Sequence, residues 1–238
     1  MIRKLALLFI LTFLSVIGYA QAPTYINGPT TIFASGTTVW YGDVTFGPAA
    51  VVYIEDGATP IFFGKNMVVD PGARFVSLPG NSQTGTGRII FRDNNPIYPS
   101  YPLQQTLNGG YSTGADPSLL NIEVDNALGL SLTGNARITN TVQFTRGHIY
   151  LNNFNLVLDN DATFNNFNVS KHVVTNGTGV VVKEAVNNGA SFLFPVSITG
   201  MDYTPATITN NSATRNINVQ VKNYSGSASI ESTFATRG

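Results

Sequence analysis

Beyond residue 37 the chain is a succession of short apolar or alternating runs, each closed by Gly, Asn, Asp or Pro. Alternation puts successive side chains on opposite faces of an extended strand, and the closing residues tolerate turn geometry. The first group of predicted strands is Thr38–Phe46, Ala50–Ile54, Pro60–Phe63, Met67–Val69, Arg74–Leu78 and Arg88–Arg92. The second is Ile122–Val124, Gly129–Leu132, Ala136–Ile138, Thr141–Phe144, His148–Leu151 and Asn155–Leu158. No stretch carries a sustained apolar period of 3.6 residues, so the chain is expected to be all-β.

The breaks echo one another. Ile54-Glu55-Asp56-Gly57-Ala58-Thr59 resembles Val69-Asp70-Pro71-Gly72-Ala73-Arg74. Leu132-Thr133-Gly134-Asn135-Ala136-Arg137 resembles Leu158-Asp159-Asn160-Asp161-Ala162-Thr163. Each echo is an apolar strand end, a polar or Gly corner, a small Ala and a second strand. A coil of this kind cannot bury its apolar face alone and needs neighbouring coils to do so. The echoes lie 15 residues apart in the first pair and 26 in the last. The expected fold is therefore a short, irregular, right-handed parallel β-helix, or solenoid. A β-sandwich made of the same hairpins is the rival arrangement.

Two features interrupt the pattern. Residues 94–117, rich in Pro, Tyr, Gly and Gln, read as a long loop on the solenoid flank, and long loops in compact domains are often functional. After Asn168 the runs lengthen to His172–Thr175, Gly179–Ala185, Ser191–Val196, Thr204–Thr209 and Asn216–Tyr224, which predicts a small antiparallel, sandwich-like segment over 169–225. The β-helix is thus assigned to 21–168. Residues 226–238 form a polar tail that fits a piece of a longer protein.

The first twenty residues follow a different rule. Arg3 and Lys4 precede an apolar stretch from Leu5 to Ile17, and Gly18-Tyr19-Ala20 places small residues where a signal peptidase cuts. The stretch is shorter than the roughly 20 apolar residues a spanning helix needs. Residues 1–20 are therefore expected to be a cleaved signal peptide, leaving an exported chain with no transmembrane span, outside the cell, on its surface or in the periplasm.

Composition narrows the choice of partners. The whole chain has 13 basic and 13 acidic residues; without Arg3 and Lys4 the balance is 11 to 13, a formal charge of −2. With its basic residues scattered singly, the chain offers no face for nucleic acid. It contains no cysteine, which excludes thiol chemistry and disulfide staples. Its two histidines, His148 and His172, are far apart in sequence, so a multi-histidine zinc site is not expected, and His148 is expected to project from a coil edge.

Candidate chemistry falls on three groups of residues. Glu123 with Asp125, and Asp159 with Asp161, share a strand face at i and i+2, the minimum a two-carboxylate glycosidase requires. The run Asp159-Asn160-Asp161 offers oxygen ligands of the kind calcium takes, although as a turn it also caps backbone groups. Among the aromatics, adjacent Trp40 and Tyr41 must point to opposite faces of a strand. Tyr98, Tyr101 and Tyr111 decorate the Pro-rich loop, and exposed rings of this kind stack on sugars. No Gly-x-Ser-x-Gly elbow surrounds a serine, and Gly85-Thr86-Gly87 lacks the lysine and helix of a phosphate loop.

Two motifs carry a resemblance. Phe144-Thr145-Arg146-Gly147-His148-Ile149, followed by Leu156-Val157-Leu158 and Ala162, is one. Gly189-Ala190-Ser191-Phe192-Leu193-Phe194-Pro195-Val196, followed by Tyr203-Thr204-Pro205-Ala206-Thr207-Ile208, is the other. Over Asn121 to Val221 the chain resembles large exported proteins of Bacteroidetes-type bacteria. In these a β-helical stretch leads into a Phe-Pro-Val…Tyr-x-Pro β-sandwich segment, and many carry adhesion repeats and a C-terminal sorting domain for type IX secretion. No sorting domain follows in this sequence. The resemblance implies a non-enzymatic surface scaffold or adhesin-like segment that contacts carbohydrate or other surface proteins. A polysaccharide lyase or hydrolase built on the paired carboxylates, and a plain spacer, are the alternatives.

Overall fold

The computed structural model describes residues 22–80, 82–96, 103–114 and 117–222. Residues 1–20, read above as a signal peptide, lie outside them, as do Tyr98, Tyr101 and residues 226–238. The described chain has no helix and winds into a parallel β-solenoid of about seven turns.

The first coil comprises β1 (Thr24–Ile26), β2 (Pro29–Ile32) and β3 (Val39–Trp40). The second comprises β4 (Val44–Phe46), β5 (Val51–Glu55) and β6 (Ile61–Phe62), and the third β7 (Asn66–Val69), β8 (Arg74–Leu78) and β9 (Ile89–Arg92). Next come β10 (Gln105–Asn108) with β11 (Leu119–Asp125), and then β12 (Leu130–Gly134) with β13 (Ala136–Arg146). The last coils hold β14 (Ile149–Tyr150), β15 (Leu156–Leu158), β16 (Thr163–Asn165), β17 (Val173–Val174) and β18 (Val181–Val186). The chain continues through β19 (Ser191–Phe194), β20 (Val196–Ser197), β21 (Ala206–Thr209) and β22 (Arg215–Val219).

Stacking the coils produces three parallel ladders. The first face runs β1-β4-β7-β10-β12-β14-β17-β20, and the second opens as β2-β5-β8. The third face runs through β3, β6, β9, β11 and β13. β13 serves two faces by bending. Its Ala136–Ile138 end pairs with β15, which pairs in turn with β18, whereas Thr141–Gln143 pair with β16. Parallel pairing between strands about one coil apart rules out the sandwich rival for this part of the chain.

The corners show why the echoes recur. In Asp70-Pro71-Gly72-Ala73 the Ala73 N–H donates to the Asp70 carbonyl at 3.1 Å, and Gly72 has φ +99°. Proline pre-sets the second position of such a turn, and the third needs positive φ, which glycine adopts without strain. Glu55-Asp56-Gly57-Ala58 repeats the geometry with Gly57 at φ +81°. Ala58, Ala73, Ala136 and Ala162 are all buried: only a methyl fits beneath these corners.

Inside, the apolar residues stack from coil to coil. Phe46 meets Phe75 edge-on at 5.0 Å, and Phe62 meets Phe91 at 5.7 Å. Both pairs belong to one continuous core that reaches from Ile32 to Val219.

Several expectations are corrected. The run Thr38–Phe46 is two strands, β3 and β4, because the chain turns a corner at Gly42-Asp43, where the Asp43 carboxylate accepts from the Lys65 and Asn66 N–H groups. The loop expected over 94–117 contains β10, a full member of the first face, whose Gln105 amide donates to the Phe62 and Gly64 carbonyls. Past Asn168 the expected antiparallel pairing is present in β19 with β21 and in β18 with β22, while β17, β18 and β20 continue the parallel ladders. Pro195 divides the run Ser191–Val196 between the hairpin and the first face.

Phe91 is fully buried at the centre of the stack, so truncating it leaves a cavity that neighbouring coils cannot close. Phe91→Ala is expected to cost about 3–5 kcal/mol, read as a lower urea midpoint.

Candidate functional site

The outward side chains of β9, β11, β13 and β16 form a polar flank. Its charges pair across coils. Arg88 Nε lies 2.8 Å from Glu123, whose other oxygen accepts from Thr145 at 2.7 Å. Asp125 is gripped by Arg92 at 2.7 Å and by Arg146 at 2.6 Å, and Arg146 reaches on to Asp93 at 2.6 Å. Arg137 joins Asp159 at 2.8 Å and Glu184 at 2.9 Å. Glu123 and Asp125 are both buried. Each carboxylate of the candidate pairs, Asp161 excepted, is thus tied to a guanidinium rather than set opposite another carboxyl across open space.

The candidate calcium turn has a resident cation. The Lys183 ammonium, projecting from the next coil, donates to the carbonyl oxygens of Asp159 at 2.5 Å, Asn160 at 2.6 Å and Ala162 at 2.7 Å. It also lies 4.9 Å from the Phe192 ring centroid. Burial lowers its pKa to about 8, against the opposing pull of Asp159, Asp161 and Glu184. The oxygens that would supply backbone ligands to calcium therefore face an ammonium group. Among the described residues no group of three or more His, Asp or Glu is arranged to hold a metal.

The aromatics divide as strand alternation requires. Trp40 is in the core, edge-on to Phe46 at 5.9 Å, while Tyr41 faces outward and stacks flat on Phe63, one coil away, at 5.7 Å. Tyr111 belongs to the flank, where its hydroxyl donates to Glu184 at 3.3 Å. Burial and the Glu184 carboxylate raise its pKa.

The histidines, remote in sequence, are 24 residues and one coil apart, with ring centroids at 4.4 Å. They flank the register pair Ile149 and Val173, so the coil spacing brings them together. The irregular coil length hides that juxtaposition in the sequence. His172 is fully buried, and its ring nitrogens face the Asn168 and Thr199 carbonyls at 3.0 and 3.4 Å. His148 Nδ1 accepts from the His172 backbone N–H at 3.3 Å, which requires that nitrogen to be unprotonated. Burial, and after it the neighbouring His172, lower the His148 pKa.

Two adjoining hollows mark the flank and meet at Asp161 and Thr163. The larger, about 500 Å³, lies between the segment 84–88 and the corner at Asp161, over a floor of Asn121, Thr141, Gln143 and Asn165. The smaller, about 270 Å³, continues to Lys183, Ser191 and Phe192. Sequence reasoning selected Asp161 but not this groove, since its floor is assembled from three coils.

No protein-family model, curated protein or solved structure matches the chain. The class of protein defined by the fold is a parallel β-solenoid. No helix among the described residues is long and apolar enough to cross a membrane, which leaves strand-built spans unaddressed.

Two outcomes test the electrostatics. The folded His148 pKa lies below 6.5, so on acidification the unfolded chain takes up a proton that the folded chain resists. Stability is therefore expected to fall from about pH 7 to about pH 5, and His148→Gln should flatten that slope in thermal melts. Lys183→Met keeps the stem but leaves three carbonyls without their donor. It is expected to cost about 2–4 kcal/mol, read by urea unfolding.

Proposed function

We propose that this chain is an exported, non-enzymatic surface scaffold, adhesin-like in its contacts, whose flank meets carbohydrate or other surface proteins. The observation that carries this reading is how the flank carboxylates are used. Glu123, Asp125 and Asp159 each hold a guanidinium from a neighbouring coil or strand. A glycosidase needs one carboxyl free to donate a proton and a second placed about 5–9 Å away across a sugar. Carboxylates locked in cross-coil ion pairs serve cohesion instead. The N-terminal Arg3-Lys4, apolar stretch and Gly18-Tyr19-Ala20 support export, and the Phe194-Pro195-Val196…Tyr203-Thr204-Pro205 signature supports a surface destination of the type IX kind.

The test is to express the full chain with its leader, locate it by surface labelling, and incubate the mature protein with polysaccharides while measuring reducing ends and unsaturated products. Surface exposure without product is expected. Glu123→Gln and Asp125→Asn should each lower stability, by about 1–3 kcal/mol, and leave polysaccharide retention unchanged. Product release by the wild type that is abolished in Glu123→Gln would establish the enzyme reading in its place.

A further inference from the structure

The groove along the third face has a lining that selects among ligands. Thr141 pairs in register with Thr163, and Gln143 with Asn165, so these four side chains form two ranks on neighbouring strands of β13 and β16. Neighbouring strands lie about 4.8 Å apart. All four point outward, and all are exposed or half-buried. Unlike the amides of Asn121 and Asn140, which are committed to the Gly85 carbonyl, these side chains bond to no other group among the described residues. The groove floor therefore offers hydroxyls and amides that both donate and accept.

The ends of the groove are different. The cations beside it are engaged: Arg88 by Glu123, and Lys183 by its three carbonyls. Asp161 is exposed and has no ion-pair partner among the described residues, so it would repel an anion and accept from a diol. Where the second hollow begins, the half-buried Phe192 supplies the one aromatic surface among the lining residues. A combined volume within the range of small-ligand sites, about 300–1,000 Å³, completes the picture.

We infer that this groove binds a neutral oligosaccharide, laid across β11, β13 and β16 with its hydroxyls on Thr141, Gln143, Thr163 and Asn165 and one ring against Phe192. Phosphorylated, sulfated or uronic chains meet there only Arg88, whose charge Glu123 already balances, and Lys183, already held by carbonyls, and an apolar ligand would strip water from the amides without replacing their hydrogen bonds. This assignment rests on the scaffold reading above and gives its carbohydrate contact a place and a chemical class.

The experiment titrates the mature chain with soluble neutral glycans (β-glucan, xylan and mannan) and with alginate and polygalacturonate as acidic counterparts, by affinity electrophoresis and calorimetry. At least one neutral glycan should bind, and the acidic ones should not. Gln143→Ala/Asn165→Ala should weaken that binding by about tenfold, and Thr163→Arg, which fills the groove with bulk, should abolish it. Tyr41→Ala, on a different part of the surface, should leave it unchanged. Circular dichroism and thermal melts confirm that each variant is folded. Neutral-glycan binding that survives both groove variants but is lost in Tyr41→Ala overturns the groove and leaves the scaffold reading intact. Preference for the acidic polymers, or no glycan binding by a folded, surface-exposed chain, also overturns the inference. Cleavage of the glycan, by contrast, defeats the scaffold reading itself.

Discussion

The structure depends on one constraint: no coil of the solenoid can satisfy its own backbone or bury its own apolar face. Each strand exposes N–H and C=O groups along both edges, and only the coils on either side can pair them. The corners are the weak points, since the ladders lapse there. Amide side chains fill the gap. Asn126 donates to the Gln105 side chain at 3.0 Å, and Gln105 donates to the Phe62 and Gly64 carbonyls of an earlier coil. Asn135 accepts from the Asn155 N–H, and Asn155 accepts from the Val180 N–H, one coil further on. The abundance of asparagine in this chain is thus a consequence of stacking as much as of turning.

The outer flank follows the same logic with charges. Arg137 reaches from β13 to Asp159 beyond β15 and to Glu184 on β18, tying three coils together. Arg146 links Asp125 and Asp93 in the same way. Lys183 fills with its ammonium the nest formed by the Asp159, Asn160 and Ala162 carbonyls. Half-exposed pairs contribute little singly, but those that share partners form a network that also fixes register. Most of the groups suggestive of catalysis are therefore the ones the fold uses for cohesion, and the uncommitted side chains left on the flank are hydroxyls and amides with Asp161 beside them.

Much of the fold was legible in the sequence because its signals are local. The Gly-Ala corners, the alternation in Val51–Glu55 and Asn66–Val69, and the small alanines each act within a few residues. Other features depend on the partner coil. β10 follows Pro102 and has little apolar character of its own; it is a strand because β7 and β12 offer edges on either side. β13 reads as two strands and is one, since it bends where two faces meet. The histidine stack, the resident lysine and the groove floor each join residues about one coil apart. Coil length varies too widely to align them by eye: the step from Asn66 to Thr106 is 40 residues, against 24 from His148 to His172.

Since the chain has no cysteine, its coil register can be probed by pairs introduced one at a time. Thr45 and Val68 are outward-facing register partners on β4 and β7, whereas Ser131 lies on β12, beyond β7 and β10. A disulfide needs Cα atoms about 4.4–6.8 Å apart, a separation that adjacent parallel strands provide. On mild oxidation the pair Thr45→Cys/Val68→Cys should close quantitatively without lowering the unfolding midpoint, and Thr45→Cys/Ser131→Cys should stay reduced. Closure of the second pair, or failure of the first in a folded chain, would contradict the stacked-coil account.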